Sequence, residues 1–507
     1  MNKRTMLKKL RVILAVLFWA GITLLLLDFT GALHGWLGWM AKLQFLPAVL
    51  ALNFVVIALL VVLTLLFGRV YCSVICPLGV FQDGVSHLGT LRSKRPYKFK
   101  KELKWLRYGI WALFIIALVA GVQAFVALLA PYSAYGRMVQ NLLQPVYLWG
   151  NNLLAWLSER AGSYTFYEKE VWIRSLPTFL IAIAMLVLVV ALSFKGGRTY
   201  CNTVCPVGTT LSFLSRFSMF RPVIDTEKCK KCKACENHCK AQCINITKDS
   251  QTIDYSRCVD CFNCLDQCKF GALKYRYAWG KTPGQAGRDV TPDADRASRR
   301  AMMAGTVAVV GAAALKGVQA RAQETAKKVD GGFADVLPKQ APERETPLTP
   351  PGSRSVKDFY RRCTACQLCV AECPNNVLRP STDLQHLMQP QMSYEKGYCR
   401  PECTRCSELC PAGAIQRITK EEKTNYHVGY AAVNLATCVS ATGKADCGKC
   451  ARTCPTGAIQ LVENPETGHK YPVVSEEICI GCGACENLCP VRPVSAITVN
   501  GRNEHLL

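Results

Sequence analysis

Of 507 residues, 29 are cysteine. They fall in tight runs with two or three residues between them, too close for one run to form a disulfide framework. That spacing suits metal ligation. Cys229, Cys232, Cys235 and Cys239 read C-x2-C-x2-C-x3-C, and Cys258, Cys261, Cys264 and Cys268 repeat the pattern. This is the bacterial ferredoxin run, in which the fourth cysteine ligates the other cluster. One [4Fe–4S] cluster is therefore expected on Cys229, Cys232, Cys235 and Cys268, and a second on Cys258, Cys261, Cys264 and Cys239. Lys240 and Lys269 stand where a proline usually follows the fourth cysteine. Zinc is the alternative ligand, but three cysteines at a spacing of three are one too many for a zinc knuckle.

Four more quartets lie in residues 357–500. Cys363, Cys366, Cys369 and Cys373 match the run in full, with Pro374 following, as do Cys479, Cys482, Cys485 and Cys489, followed by Pro490. Between them are Cys399, Cys403, Cys406 and Cys410, then Cys438, Cys447, Cys450 and Cys454, each with a longer first gap. Six [4Fe–4S] clusters are thus expected. Nested pairing is the expectation for the last four: Cys363/Cys366/Cys369 with Cys489, Cys479/Cys482/Cys485 with Cys373, Cys399/Cys403/Cys406 with Cys454, and Cys438/Cys447/Cys450 with Cys410. Sequential pairing is the alternative.

Five cysteines remain. Cys72 and Cys76 lie in Gly68-Arg69-Val70-Tyr71-Cys72-Ser73-Val74-Ile75-Cys76-Pro77-Leu78-Gly79. Cys201 and Cys205 lie in Gly197-Arg198-Thr199-Tyr200-Cys201-Asn202-Thr203-Val204-Cys205-Pro206-Val207-Gly208. The shared frame G-R-x-Y-C-x-x-x-C-P-x-G marks an internal repeat. Four cysteines suffice for a seventh cluster or a metal, and structural thiols at helix ends are the alternative. Cys243 is either a buried free thiol or a ligand in place of Cys239.

Each repeated motif follows an apolar run. Four runs are long enough for a bilayer: Leu10–Leu27, Leu46–Phe67, Leu106–Ala130 and Leu176–Phe194. The net charge of +25 is uneven: residues 357–507 carry 16 basic and 15 acidic side chains, leaving 45 against 21 in residues 1–356. Residues 1–11 hold five basic and no acidic side chains and residues 68–107 nine against two, while loops 28–45 and 131–173 are balanced. By the positive-inside rule the N-terminus and the 221–280 cluster module face the cytoplasm. The charge is a topology signal suited to anionic lipid, and a nucleic-acid partner is not expected. Trp36, Trp39, Tyr132 and Tyr147 are expected as an interfacial belt on the opposite side.

Between the cluster modules lie Ala297-Ser298-Arg299-Arg300-Ala301-Met302-Met303, a weakly apolar run to about Leu315, and Ala320-Arg321-Ala322-Gln323. Twin arginines, a modest apolar stretch and an A-x-A site read as a twin-arginine export signal, either cut after Ala322 or kept as a fifth span. The expected organisation is a four-helix membrane domain (1–220), a cytoplasmic two-cluster domain (221–280), a linker (281–296), the signal (297–322), an extended Pro-rich linker (323–356) and an exported four-cluster domain (357–507). The fold class is membrane α-helical plus α+β bacterial-ferredoxin-like domains, in a bacterial inner membrane.

No C-x-x-C-H motif for c-type haem occurs, no histidine lies mid-span, and no dinucleotide fingerprint stands out. A quinone bound between the hairpins would bridge the two sides, with Asn53, Gln123 and Arg137 as polar candidates; Asn53 and Gln123 also suit interhelical hydrogen bonding. With its spans, C-x3-C-P motifs and paired runs, residues 1–280 resemble the NapH-type membrane ferredoxin-type proteins. Residues 297–500, with the Arg299-Arg300 signal and four quartets, resemble the exported NapG/MauM type. The membrane part of NosR-type regulators is also similar. The resemblance implies a quinol dehydrogenase subunit that passes electrons to a periplasmic reductase or c-type cytochrome. The alternative it implies is an accessory or regulatory redox-sensing or maturation protein.

Overall fold

A computed structural model describes residues 3–93, 96–247, 250–278, 328–330, 334–465 and 468–506. The expected export signal at 297–322 and the linker at 281–296 lie outside the described residues. The chain divides into two compact units: Met1–Leu27, Leu33–Val171 and Leu180–Ala294 form the first, and Asp28–Ala32, Trp172–Phe179 and Asp295–Leu507 the second.

Among the described residues, two helices are long and apolar enough to cross a membrane, Met6–Leu27 within α1 (Lys3–Leu27) and Leu176–Gly196. The other two expected spans are broken. In the second, the Phe45–Leu50 helix stops, Leu52 adopts a positive φ, and Asn53 caps α2 (Phe54–Phe67) by accepting a hydrogen bond from the Val56 N–H at 3.2 Å. Fourteen residues rise only about 21 Å, short of the ~30 Å hydrocarbon core. In the third, the Lys104–Ala120 helix ends at Gly121 in the left-handed conformation, and Gln123–Leu129 continues as a separate helix. The local stop signals, an Asx cap and a glycine C-cap, override the continuous hydropathy. Phe54, Val55, Leu59 and Val62 are nevertheless more than half exposed on α2. Of the expected belt, Trp36 and Trp39 are exposed, whereas Tyr132 is buried at 2 %.

After each membrane-edge motif a helix begins on the motif's proline: α3 (Pro77–Ser93) after the first, α4 (Pro206–Ser215) after the second. Proline suits that place because its missing N–H is not needed in the first turn. The two-cluster module then folds as two antiparallel strand pairs, Phe220–Ile224 with Leu273–Tyr277 and Ile244–Ile246 with Gln251–Ile253. Between them stand two short helices, α5 (Ala234–Asn237) and α6 (Asn263–Gln267).

The module is seated on both repeats. Gly68 (φ +74°) and Gly197 (φ +63°) each let the backbone approach it: a Cβ at Gly68 would stand 2.3 Å from Asp260 Oδ2, and one at Gly197 2.4 Å from the Lys240 carbonyl oxygen. The Arg69 N–H donates to Asp260 Oδ2 (3.1 Å) and the Arg198 N–H to the Lys240 carbonyl (2.9 Å). The lysine in place of the usual proline thus has a role, since its ammonium lies 3.7 Å from Asp83. Gly68→Ala combines a positive φ with a clash, and should destabilise this seat by roughly 2 kcal/mol. Thermal loss of the iron–sulfur absorbance at a lower temperature than in the parent would show it.

The second unit contains antiparallel pairs Leu378–Pro380 with Pro390–Met392, His427–Val433 with Ile497–Leu506, and Ile459–Glu463 with Lys470–Val474. Its core packs Leu348, Val370, Tyr394 and Val499 among the cysteines. Part of the expected linker 323–356 belongs to this core. Leu348 is 1 % exposed, Lys339 Nζ donates to the Asn487 carbonyl at 2.7 Å, and Arg344 pairs with Glu486 at 2.6 Å. Helix-end carbonyls and a buried carboxylate recruit the basic side chains of a segment whose prolines leave few N–H groups to satisfy.

Candidate metal centres

Local backbone geometry sets the cluster sites. In all four strict runs the second cysteine is flanked on both sides by positive-φ residues: Lys231 and Lys233 around Cys232, Asp260 and Phe262 around Cys261, Ala365 and Gln367 around Cys366, and Gly481 and Gly483 around Cys482. Left-handed residues alternating with ordinary ones turn successive N–H groups toward one point, a concavity that suits an anionic iron–sulfur group. These donors and the thiolates fit [4Fe–4S] clusters. Each cluster, when bound, would accept and release one electron. Among the described residues, no three Cys, His, Asp or Glu side chains close on a single metal ion.

In the first unit the cysteines fall into two groups. Cys239, Cys258, Cys261 and Cys264 line one cavity, and the Cys235 thiol lies within electrostatic reach of Cys229 and Cys268. Cys243 lines that same cavity, buried, with its Sγ 3.5 Å from Cys239 Sγ. It is thus a fifth sulfur at the second site.

In the second unit the nested pairing is overturned. Cys373 lines a cavity with Cys399, Cys403 and Cys406. Cys489 lines another with Cys438, Cys447 and Cys450. Cys410 lies within electrostatic reach of Cys363, Cys366 and Cys369, and Cys454 of Cys479 and Cys482. Each run exchanges its last cysteine with its sequence neighbour, because consecutive runs fold back on each other as one ferredoxin unit. Two such units follow in sequence. They meet where the Cys399 N–H donates to the Cys482 carbonyl (2.9 Å), beside buried Tyr394, whose hydroxyl donates to the Gly481 carbonyl at 2.5 Å. By these contacts the four sites neighbour one another in series: Cys363, Cys399, Cys479, then Cys438.

Sequence reading missed Lys423. Its buried ammonium donates to Cys399 Sγ (3.3 Å) and to the carbonyls of Arg400 (2.6 Å) and Cys403. The capping box on Thr419 and Glu422, which fixes the Lys420–Thr424 helix, was the available signal. A buried positive charge beside a ligand sulfur favours the reduced cluster. Lys423→Met should lower that site's midpoint potential by on the order of 100 mV, measurable by EPR-monitored redox titration.

The four membrane-edge cysteines converge. Cys72, Cys76, Cys201 and Cys205 are each 4 % exposed, and burial together with the neighbouring thiols raises the Cys76 and Cys205 thiols well above the ordinary range. Two fully buried arginines cross between the repeats. Arg69 donates to the Cys201 carbonyl (3.2 Å) and Asn202 Oδ1 (2.8 Å), and Arg198 to the Cys72 carbonyl (2.7 Å). Each also points at the first cysteine of its own motif, at 3.8 Å. Gln82 Nε2 lies 3.3 Å from Cys201 Sγ, and the Gly208 N–H 3.3 Å from Cys205 Sγ. Asp83 receives Arg198 (2.8 Å), Arg11 and Lys240. Although burial alone would raise its pKa, those cations hold the carboxyl far below the usual range.

The quinone candidates lie on three different helices or helix ends. Asn53 is an exposed helix cap, Gln123 is buried in the Gln123–Leu129 helix, and Arg137 is fully buried with Nη2 donating to the Leu128 carbonyl at 3.4 Å.

Comparison with known proteins agrees with this geometry. A family described as a 4Fe-4S binding domain matches residues 49–96 and 178–223, one match per repeat, and a 4Fe-4S dicluster domain matches 445–492. The methylamine utilization ferredoxin-type protein MauM of Paracoccus denitrificans is 30% identical over 203 residues, covering 38% of this chain and 84% of MauM. The chain belongs to the ferredoxin-type iron–sulfur proteins. This ferredoxin-type chain is also 25% identical over 176 residues to the ferredoxin-type protein NapF of Escherichia coli, spanning 33% of the chain and 96% of NapF. It is 23% identical to the putative electron transport protein YccM of Escherichia coli over 47% of the chain and 61% of YccM. No solved structure matches. It is an iron–sulfur electron-transfer protein.

Proposed function

We propose that the chain is a membrane-bound conduit that passes electrons from the quinol pool through six [4Fe–4S] clusters to a periplasmic acceptor, a reductase or c-type cytochrome. The reading joins a NapH-type membrane half to an exported NapG-type half, with four crossings of the inner membrane. The two broken apolar stretches cross with their flanking helices, the two-cluster module lies in the cytoplasm, and the four-cluster domain lies outside. The serial order of the four sites in the second unit carries the reading: linear conduction needs neighbouring clusters, and a store or a structural site does not. Anaerobic addition of a menaquinol analogue to the purified chain should bleach its visible iron–sulfur absorbance. Bleaching by dithionite with none by quinol would overturn the reading.

Cys72, Cys76, Cys201 and Cys205 are proposed to hold a seventh cluster. Buried cations are costly unless compensated. Among the described residues, the Arg69 guanidinium bonds only carbonyls, an amide oxygen and a sulfur. Four thiolates around an iron–sulfur core would supply the missing negative charge. The site sits directly under Asp260 and Lys240, next to ligands of the second cluster.

A second reading, an accessory redox sensor of NosR type, has Cys243 in its favour, since a spare sulfur permits ligand exchange. Quinol-driven reduction much slower than turnover, with loss of partner maturation on deletion, would favour it.

A further inference from the structure

A cavity of about 1010 Å³ opens in the first unit between α1, α3 and the two-cluster module. Its α1 wall runs from Lys8 to Trp19, about 16 Å along the helix. It thus reaches from the charged first turns into the apolar stretch. Val12 and Val16 on this wall are exposed, so the cavity is open along the apolar flank of the helix. Opposite them, Asn237 and His238 precede Cys239, Asn263 precedes Cys264, and Gln267 precedes Cys268. The floor is therefore built from the segments that carry ligands of both clusters.

The cations around the cavity are already matched. Lys8 pairs with Asp266 at 2.7 Å, while Arg11 and Lys240 share Asp83. A neutral ligand suits such a wall better than an anionic phospholipid headgroup. Hydrogen-bonding groups remain available. His238, whose Nδ1 is paired with the Ala234 carbonyl at 2.9 Å, keeps its other nitrogen, and Trp19, on the opposite wall, holds a buried indole N–H without a partner that a ligand would reach only if the ring turned. A flat head with two oxygens and a long apolar tail has the matching chemistry.

We propose that this cavity binds the headgroup of a membrane quinol, with its tail leaving past Val12 and Val16. The proposal rests on the quinol reading above and gives it a place. Each quinol oxidised to quinone yields two electrons and two protons. The two clusters that the Cys229–Cys268 module would hold could each take one of the electrons, and both protons would go to water at the mouth, where His87 is exposed.

The test uses the full chain in neutral phosphatidylcholine vesicles, with 2-heptyl-4-hydroxyquinoline N-oxide as a quinol-site probe read by fluorescence quenching. Val16→Trp fills the cavity from an exposed position, and Trp19→Phe removes the N–H together with the pyrrole half of the indole, widening the cavity rather than filling it. Val16→Trp should weaken probe binding and slow quinol-driven cluster reduction by about tenfold or more, and Trp19→Phe by about threefold. Iron content and dithionite reduction should stay at parental levels. If Val16→Trp lowers the iron content, the Trp19→Phe result decides. Unchanged probe binding in the variants, with quinol still reducing the clusters, overturns the cavity and leaves the quinol reading standing. Displacement of the probe by phosphatidylglycerol but not by menaquinol identifies a lipid site and also overturns it. A parent chain that no quinol reduces removes the reading itself.

Discussion

A Cys363→Ser/Cys410→Ser double variant should lose about four irons per chain, the content of one [4Fe–4S] cluster. Both residues serve the same site, because Cys410 stands with Cys363, Cys366 and Cys369. Nested pairing would place them in different clusters, and the same variant would lose about eight irons. The Cys454→Ser/Cys479→Ser variant repeats the test in the second ferredoxin unit, where Cys454 stands with Cys479 and Cys482. Iron quantitation per chain reads both. Serine keeps the size of the side chain, and the remaining sites keep their own ligands and cores. A loss near eight irons in either variant would contradict the serial order, and with it the physical basis for conduction.

Cys72→Ser/Cys201→Ser should also remove about four irons. It takes the first cysteine from each repeat, the two sulfurs at which Arg69 and Arg198 point. The effect on stability should exceed that of a lost surface site. Without the cluster the buried Arg69 guanidinium bonds only neutral groups, while Arg198 keeps its pairing with Asp83, and a buried charge that loses its partner costs about 3–5 kcal/mol. The second cluster should feel the change as well, since Asp260 and Lys240 dock on the same two Gly-Arg pairs. A variant with full iron content and unchanged melting would reduce the four cysteines to structural thiols.

The cysteine runs were legible because their spacing is local. C-x2-C-x2-C-x3-C places three sulfurs on one loop, and the exchange of the fourth follows from one short hairpin module, as with Cys239 and Cys268. Pairing in the second unit was not legible: four runs of similar spacing permit several closures, and tertiary packing around Tyr394 and Leu348 decides among them. Hydropathy found the apolar runs but not their breaks. Asn53 was read as a polar group for a ligand or for interhelical bonding, and its role as a cap on the Val56 N–H was not foreseen. The mirrored motifs at Cys72 and Cys201 were visible as a repeat, but the crossing of Arg69 and Arg198 between the repeats depends on a fold no spacing encodes. The Asp83 hub gathers Arg11, Arg198 and Lys240 from positions far apart in sequence and gave no local signal.

Conduction from quinol outward is tested most directly by rapid-freeze-quench EPR of the full chain after mixing with menaquinol. Signals of the Cys229–Cys268 module should appear first, within the time of a turnover, and those of the four sites between Cys363 and Cys489 should follow. Reduction of the four-site unit before the module, or no reduction of either by quinol while dithionite reduces both, would contradict it.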